Sequence, residues 1–153
     1  MSNSLARIFA TFFYIGYIPF APGTIASMAG ALLYFLFYRN VILYIVVFMA
    51  VTLVGFWTAG HVEKDAGQKD PSCVVIDEVA GAMIAFFMLP ISPSVMITAF
   101  FLFRAFDMFK IFPANKIQAF AGSFGIMMDD VIAGVYANSV MLLAFKIQSL
   151  VLS

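Results

Sequence analysis

The sequence predicts an all-α, polytopic integral membrane protein, and three observations support this fold class. Apolar residues make up 64% of the 153-residue chain and charged residues only 10%, whereas soluble domains have roughly 45–50% and 25%. The apolar residues form long charge-free runs, the clearest at 41–60. Because a bilayer offers the backbone no hydrogen-bond partners, such runs favour helices. We predict a single membrane-embedded domain over residues 1–153.

The charge-free runs predict about four to five membrane-inserted helices. One helix covers 24–38 and turns at Arg39 and Asn40 into a second helix at 41–60. Pro90 and Pro93 interrupt the next run, so we expect two short helices, at 78–89 and 94–109. This hairpin either crosses the membrane fully or is re-entrant. The last helix is expected from about Asp129 to Leu150.

The N-terminal stretch, residues 4–18, has a basic residue followed by an apolar run of moderate length. A signal peptide has the same pattern, but the small-residue cleavage site is weak here. We therefore expect a retained N-terminal helix that is interfacial or partly inserted.

The charges predict an orientation. Eight basic and eight acidic residues cancel, and the basic residues are scattered, which argues against a nucleic-acid partner. If the loop at 61–76 is cytoplasmic, only Arg39 and Lys146 lie outside, in agreement with the positive-inside rule. The cytoplasmic end then carries six basic residues: Arg7, Lys64, Lys69, Arg104, Lys110 and Lys116. It also carries nearly all the acidic residues, so we expect any chemistry to face the cytoplasm.

Two segments share an acidic signature, IDEVAGAMIAF from Ile76 and MDDVIAGVYAN from Met128. An acid at a helix start can simply offset the helix dipole, but one such acid per helix meets this need, so two matching pairs favour a further role. Close carboxylates repel one another unless a cation lies between them. We therefore predict a divalent metal held by Asp77, Glu78, Asp129 and Asp130. Small residues would let the two helices approach closely: Ala80, Gly81, Ala133 and Gly134.

Two further segments could complete the site. In FRAFDMFK, Arg104, Asp107 and Lys110 share one helix face. They either form intrahelical ion pairs, or Asp107 adds a fifth oxygen ligand while Arg104 and Lys110 bind phosphate. In PFAPGTIASMAG, Thr24 stands at a helix start that could bind an anion. The spacing of Gly23, Ser27 and Ala31 equally indicates close helix packing.

Other phosphate chemistries lack their residues in this sequence. Cys73 has no arginine at the spacing of a cysteine phosphatase loop, and His61 is the only histidine. The nucleotide-binding pattern G-x-x-x-x-G-K-[ST] does not occur. Oxygen ligands beside basic residues favour Mg²⁺ bound together with a phosphate.

Together these segments resemble the phosphatidylglycerophosphatase A family, bacterial membrane enzymes that convert phosphatidylglycerophosphate to phosphatidylglycerol. The resemblance covers roughly 17–140 in four blocks: APGTIAS, VVIDEVAG, FRAFDMFKIFP and GSFGIMMDDVIAG. It implies Mg²⁺ dependence and a site on the cytoplasmic side of the bacterial inner membrane. The chain departs from the family pattern at Ile111, where proline is usual, and at Ser123, where glycine is frequent; both are loop details.

The resemblance assigns a role to each candidate residue. Catalysis falls to Asp77, Asp129 and Asp130, which either activate a water molecule or form an aspartyl-phosphate. Metal binding falls to these three with Glu78 and Asp107, and phosphate binding to Arg104, Lys110 and Thr24. The expected partners are the bilayer and a phospholipid substrate, and a homo-oligomer is compatible with the sequence. Two alternatives stay open: a phosphatase of another phosphorylated lipid, and a small cation-conducting or scaffolding membrane protein.

Overall fold

The computed structural model describes residues 3–152, with side chains for 4–151, and within that range every regular element is helical. A short 3₁₀ turn, Ile15–Tyr17, joins the first two α-helices. The α-helices in chain order are α1 (Asn3–Ala10), α2 (Pro22–Phe37), α3 (Val41–Ala66), α4 (Ile76–Phe86), α5 (Pro93–Phe109), α6 (Ala114–Ile117) and α7 (Ser123–Leu152).

The predicted turns and the all-α class are confirmed. Asn40 caps α3 by accepting a hydrogen bond from the Leu43 backbone N–H at 3.0 Å, and Ser92 caps α5 through the Val95 N–H. Two helices, Val41–Ala66 and Ser123–Val151, are long and apolar enough to cross a membrane. The helices α2, α4 and α5 have 16, 11 and 17 residues. The total of four to five inserted helices therefore stays a prediction.

The start of the last helix was predicted wrongly. It begins at Ser123, six residues before Asp129, so Asp129 and Asp130 do not lie in its first turn. Two contacts from α3 support this earlier start: Glu63 accepts a hydrogen bond from the Gly122 N–H, and Ser123 Oγ accepts one from the Gly60 N–H. A dipole-capping role, which the sequence left open for these two aspartates, is thereby removed.

Helix α4 is the centre of the fold. It packs against α2, α3, α5 and α7, and Val79, Met83 and Phe86 are fully buried. Its far end is held by two tyrosines, because Tyr34 Oη donates to the Leu89 carbonyl and Tyr44 Oη donates to the Met83 carbonyl. The acidic start of α4 is therefore fixed on a rigid, buried element.

The predicted close approach of the two signature segments is confirmed at Gly81 and Gly134, where α4 crosses α7. A Cβ atom at Gly134 would lie 2.3 Å from the Gly81 carbonyl oxygen, and one at Gly81 would lie 2.6 Å from the Asp130 carbonyl oxygen. Only glycine fits such a backbone contact, as is common between membrane helices. This crossing brings the start of α4 to the segment that carries Asp130.

Candidate active site

A polar cavity of about 460 Å³ lies where α2 and α4 begin and where α5 ends. It combines acidic, basic and hydroxyl side chains from segments that are distant in sequence. Its charged lining residues are Asp70, Asp77, Glu78, Arg104, Asp107, Lys110 and Asp130, and the start of α2 contributes Pro22, Gly23 and Thr24. The four predicted blocks thus meet at one site.

Three carboxylates form the centre of this cavity. One oxygen atom from each of Asp77, Glu78 and Asp130 lies within 4.8 Å of the other two. Asp77 and Asp130 are 6% and 3% exposed, so their charges are largely withdrawn from water. Among the described residues, neither recorded ion pair includes any of the three.

The surroundings of these carboxylates fit a bound cation. Burial raises the pKa of Asp77 well above its usual range, and the neighbouring Glu78 and Asp130 carboxylates raise it further. Burial also raises the pKa of Glu78 to about 7, although a hydrogen bond with Asp77 and the charge of Arg104 lower it. Asp77 Oδ1 and Glu78 Oε2 are buried without a hydrogen-bond partner. Unpaired buried oxygens with a raised pKa are what a divalent cation would stabilise, because its charge favours the ionised form.

The start of α2 closes the cavity against Glu78. A Cβ atom at Gly23 would lie 2.2 Å from Glu78 Oε1 and 3.5 Å from Arg104 Nη2, so a larger residue here would displace the Glu78 carboxylate. The next residue, Thr24, is half-buried in the cavity wall. This segment therefore packs closely and also lines the cavity, while anion binding by Thr24 stays a prediction.

Arg104 is held at the cavity by two contacts. Its Nη1 atom donates to Asp107 Oδ2 at 2.6 Å and to Ser27 Oγ at 3.3 Å. Ser27 is fully buried and donates its own hydroxyl proton to the Gly23 carbonyl at 2.8 Å. The intrahelical ion pair considered from the sequence thus exists, and the guanidinium still lines the cavity.

Lys110 joins the end of α5 to α7. Its Nζ atom donates to Asp129 Oδ2 at 2.5 Å, while Asp129 Oδ1 accepts a hydrogen bond from the Asp130 N–H. Burial alone would lower the pKa of Lys110, but the hydrogen bond and charge of Asp129 raise it above its usual value. The ammonium therefore stays charged beside the cavity.

The structure gathers seven of the eight predicted site residues on the cavity wall, and it places Asp129 behind Lys110. Asp129 and Asp107 are both engaged with basic side chains, so neither belongs to the central three-carboxylate group. The roles given to these residues stay predictions.

The sequence reasoning assigned no role to several lining residues. Asp70 has a left-handed backbone (φ 47°) and accepts a hydrogen bond from Gln118 at 3.3 Å. Ser72 lines the cavity beside it. The signal for Asp70 was its place before a proline in a short polar loop that leads into the acidic helix. Ser27 lies outside the cavity lining, and beside its predicted part in helix packing it accepts a hydrogen bond from Arg104.

Comparisons with known proteins identify the family. The sequence model of the phosphatidylglycerophosphatase A family matches residues 8–145. The chain is 34% identical to phosphatidylglycerophosphatase A of Haemophilus influenzae (93% of this chain, 88% of the relative) and 32% identical to that of Escherichia coli (92% and 83%). It is 39% identical to a Bacteroides thetaiotaomicron protein provisionally named phosphatidylinositol-3-phosphatase (87% and 89%). No solved structure gives a significant match. The chain therefore belongs to the phosphatidylglycerophosphatase A family.

Proposed function

We propose that this protein is an Mg²⁺-dependent lipid phosphatase that hydrolyses the terminal phosphomonoester of phosphatidylglycerophosphate, giving phosphatidylglycerol and phosphate. One observation carries the proposal: three clustered carboxylates, two of them buried and one half-buried, line a single cavity together with two basic side chains. Acidic oxygens for a cation beside cations for a phosphate are the parts that phosphoryl transfer requires. The two relatives named for this activity support the choice of substrate.

The metal would be held by Asp77, Glu78 and Asp130, whose oxygens form the central group. Hard oxygen ligands suit Mg²⁺. When bound, Mg²⁺ supplies Lewis-acid stabilisation of the charge on the phosphate. Asp107 and Asp129 pair with Arg104 and Lys110 and so hold these two basic side chains at the cavity.

The chain's own residues would perform the remaining steps. Arg104 and Lys110 place positive charge on the cavity wall, where they can bind phosphate oxygens and counter the charge of the transition state. Of the catalytic candidates, Asp77 keeps one oxygen free of partners, so it is suited to take a proton from an attacking water. Direct attack of an aspartate on phosphorus is the competing route. The stereochemistry at phosphorus separates the two: direct attack by water inverts the configuration, whereas the covalent route, with two displacements, retains it.

The same geometry supports the proposed location. Arg39 stands at the turn between α2 and α3, and Lys146 lies near the end of α7, so both are far along their helices from the cavity. The remaining basic side chains of 64–116 lie towards the cavity end, which the positive-inside rule assigns to the cytoplasm. We accordingly place the protein in a bacterial inner membrane with its site facing the cytoplasm.

The direct test is phosphate release by the purified protein in detergent micelles. We expect release from phosphatidylglycerophosphate to require Mg²⁺, with excess EDTA lowering the rate at least about tenfold because metal removal withdraws the Lewis acid. EDTA saturated beforehand with Mg²⁺ is the matched control and should leave the rate unchanged. Activity that persists fully in EDTA would contradict the metal assignment.

A second candidate substrate is a phosphatidylinositol 3-phosphate, because the Bacteroides relative carries that name. Comparing kcat/KM for the two lipids under the same conditions decides between them. A higher value for the inositol lipid would replace our proposal. If neither lipid nor phosphatidic acid is hydrolysed, and liposomes containing the protein conduct cations, the site belongs to a transport protein.

Lys110→Ala is expected to lower kcat/KM for the lipid phosphate about 30-fold. The estimate corresponds to one charge-assisted hydrogen bond of about 2 kcal/mol to the phosphate. Lys116→Ala is the matched control, since Lys116 is exposed and stacks on Phe112 rather than lining the cavity. An unchanged rate in Lys110→Ala, with normal folding, would limit Lys110 to its ion pair with Asp129.

A further inference from the structure

An apolar groove lies between α2 and α5. It has a volume of about 360 Å³ and is lined by Met28 and Ala31 of α2, by α5 residues between Met96 and Phe101, and by Phe86 of α4. No lining residue is charged. Met28, Ile97 and Phe101 are each more than half exposed, so the groove opens at the outer surface of the helices.

The groove and the cavity lie on the same faces of the same two helices. On α2, Thr24 lines the cavity, and Met28 and Ala31 line the groove at positions i+4 and i+7. On α5, Arg104 lines the cavity, and Phe101, Phe100 and Ile97 line the groove at positions i−3, i−4 and i−7. Residues at these spacings form one stripe on a helix. The apolar groove therefore lies next to the polar site along the same two helices.

The depth of the groove corresponds to one leaflet. Met96 and Arg104 are eight residues apart, which is about 12 Å along an α-helix. The hydrocarbon core of a bilayer is about 30 Å thick, so the groove ends before the midplane if Arg104 lies at the membrane surface. An apolar cleft at this depth offers water no hydrogen-bond partners and is filled by hydrocarbon.

We propose that this groove holds an acyl chain of the phosphorylated lipid while its phosphate lies in the cavity, so that the substrate enters sideways between α2 and α5. This inference rests on the proposed lipid phosphatase activity. Since lipid tails are as apolar as the groove, the hydrophobic effect contributes little to the binding. The groove acts by orientation, because a chain held along α2 and α5 directs the headgroup towards Arg104 and the carboxylates.

Photolabelling of the wild-type protein tests this placement without measuring turnover. The probe is a phosphonate analogue of the lipid, with a C–P bond in place of the ester and a diazirine in the acyl chain. A probe with the same chain and a choline headgroup is the control. We expect the phosphonate probe to label 28–31 and 96–101 at least threefold more than the choline probe. A second groove, lined by Ile45 and Met49 of α3, should be labelled equally by both.

Filling the groove tests its part in catalysis. Ala31→Phe and Ile97→Trp should each lower the ratio of kcat/KM for a long-chain substrate to that for its dihexanoyl analogue about fivefold. Ala50→Phe is the matched control, because Ala50 is exposed on α3 and lines neither groove. If one groove variant fails to fold, the other variant and the photolabelling still test whether the groove holds an acyl chain.

The outcomes also separate this inference from the proposed substrate. Equal labelling by both probes, in a protein that hydrolyses the lipid, would contradict acyl-chain binding in the groove and leave the proposed activity standing. Headgroup-dependent labelling of the groove, in a protein that hydrolyses a different lipid phosphate, would support acyl-chain binding in the groove and contradict the proposed substrate.

Discussion

Asp77→Asn is expected to lower kcat for phosphate release about 1,000-fold while the protein still folds and inserts into membranes. The asparagine keeps the size of the side chain but loses the charge that would hold the cation, and it cannot act as a base. Burial of Asp77 among other carboxylates means that removing its charge relieves repulsion, so we expect the free energy of unfolding to stay the same or rise. Phosphate release and thermal unfolding of the purified variant measure the two effects.

Asp65→Asn provides the matched control for this experiment. Asp65 lies near the end of α3, is exposed, and does not line the cavity. The control should therefore have the activity of the wild-type protein. Turnover of Asp77→Asn within a few-fold of wild type would remove Asp77 from the site. Bound Mg²⁺ measured by calorimetry should fall in Asp77→Asn and not in the control, which separates loss of the cation from loss of the base.

Local signals in the sequence predict most helix boundaries well. The structure confirms the turn at Arg39 and Asn40 and the two helices on either side of the prolines. These features could be predicted because caps and prolines act on the residues beside them. The start of α7 was missed because its support is tertiary. Glu63 and Ser123 form their hydrogen bonds with partners 59 and 63 residues away in the chain. No pattern within the GSFG segment predicts these contacts.

The convergence of the two acidic segments could be predicted, but the division of roles within them could not. The repeated Ala-Gly after each acidic pair correctly indicated a close crossing of α4 and α7. Adjacent residues on a helix point about 100° apart, so Asp129 and Asp130 meet different neighbours. Which of the two aspartates faces the cavity depends on the rotation of α7 about its axis, and packing against α4 sets this rotation. Asp130 joins the carboxylate group, and Asp129 turns to Lys110.

Gly134→Ala is expected to lower activity about 100-fold and the free energy of unfolding by about 1–3 kcal/mol, although it adds only one methyl group. The new Cβ atom would lie 2.3 Å from the Gly81 carbonyl oxygen and 3.1 Å from Ile84 Cβ. A backbone oxygen cannot rotate away as a flexible side chain can, so α4 and α7 must separate by several tenths of an ångström. Because Asp77 and Asp130 stand on these two helices, their separation also widens the carboxylate group.

Ala144→Val is the control for this substitution, because Ala144 is exposed on the same helix α7. It should change neither stability nor activity appreciably. The decisive comparison is between Gly134→Ala and Asp77→Asn. The first should lose both stability and activity, since the crossing builds the site, whereas the second should lose activity alone. Wild-type activity in Gly134→Ala would show that the carboxylates do not depend on the close contact between α4 and α7 for their geometry.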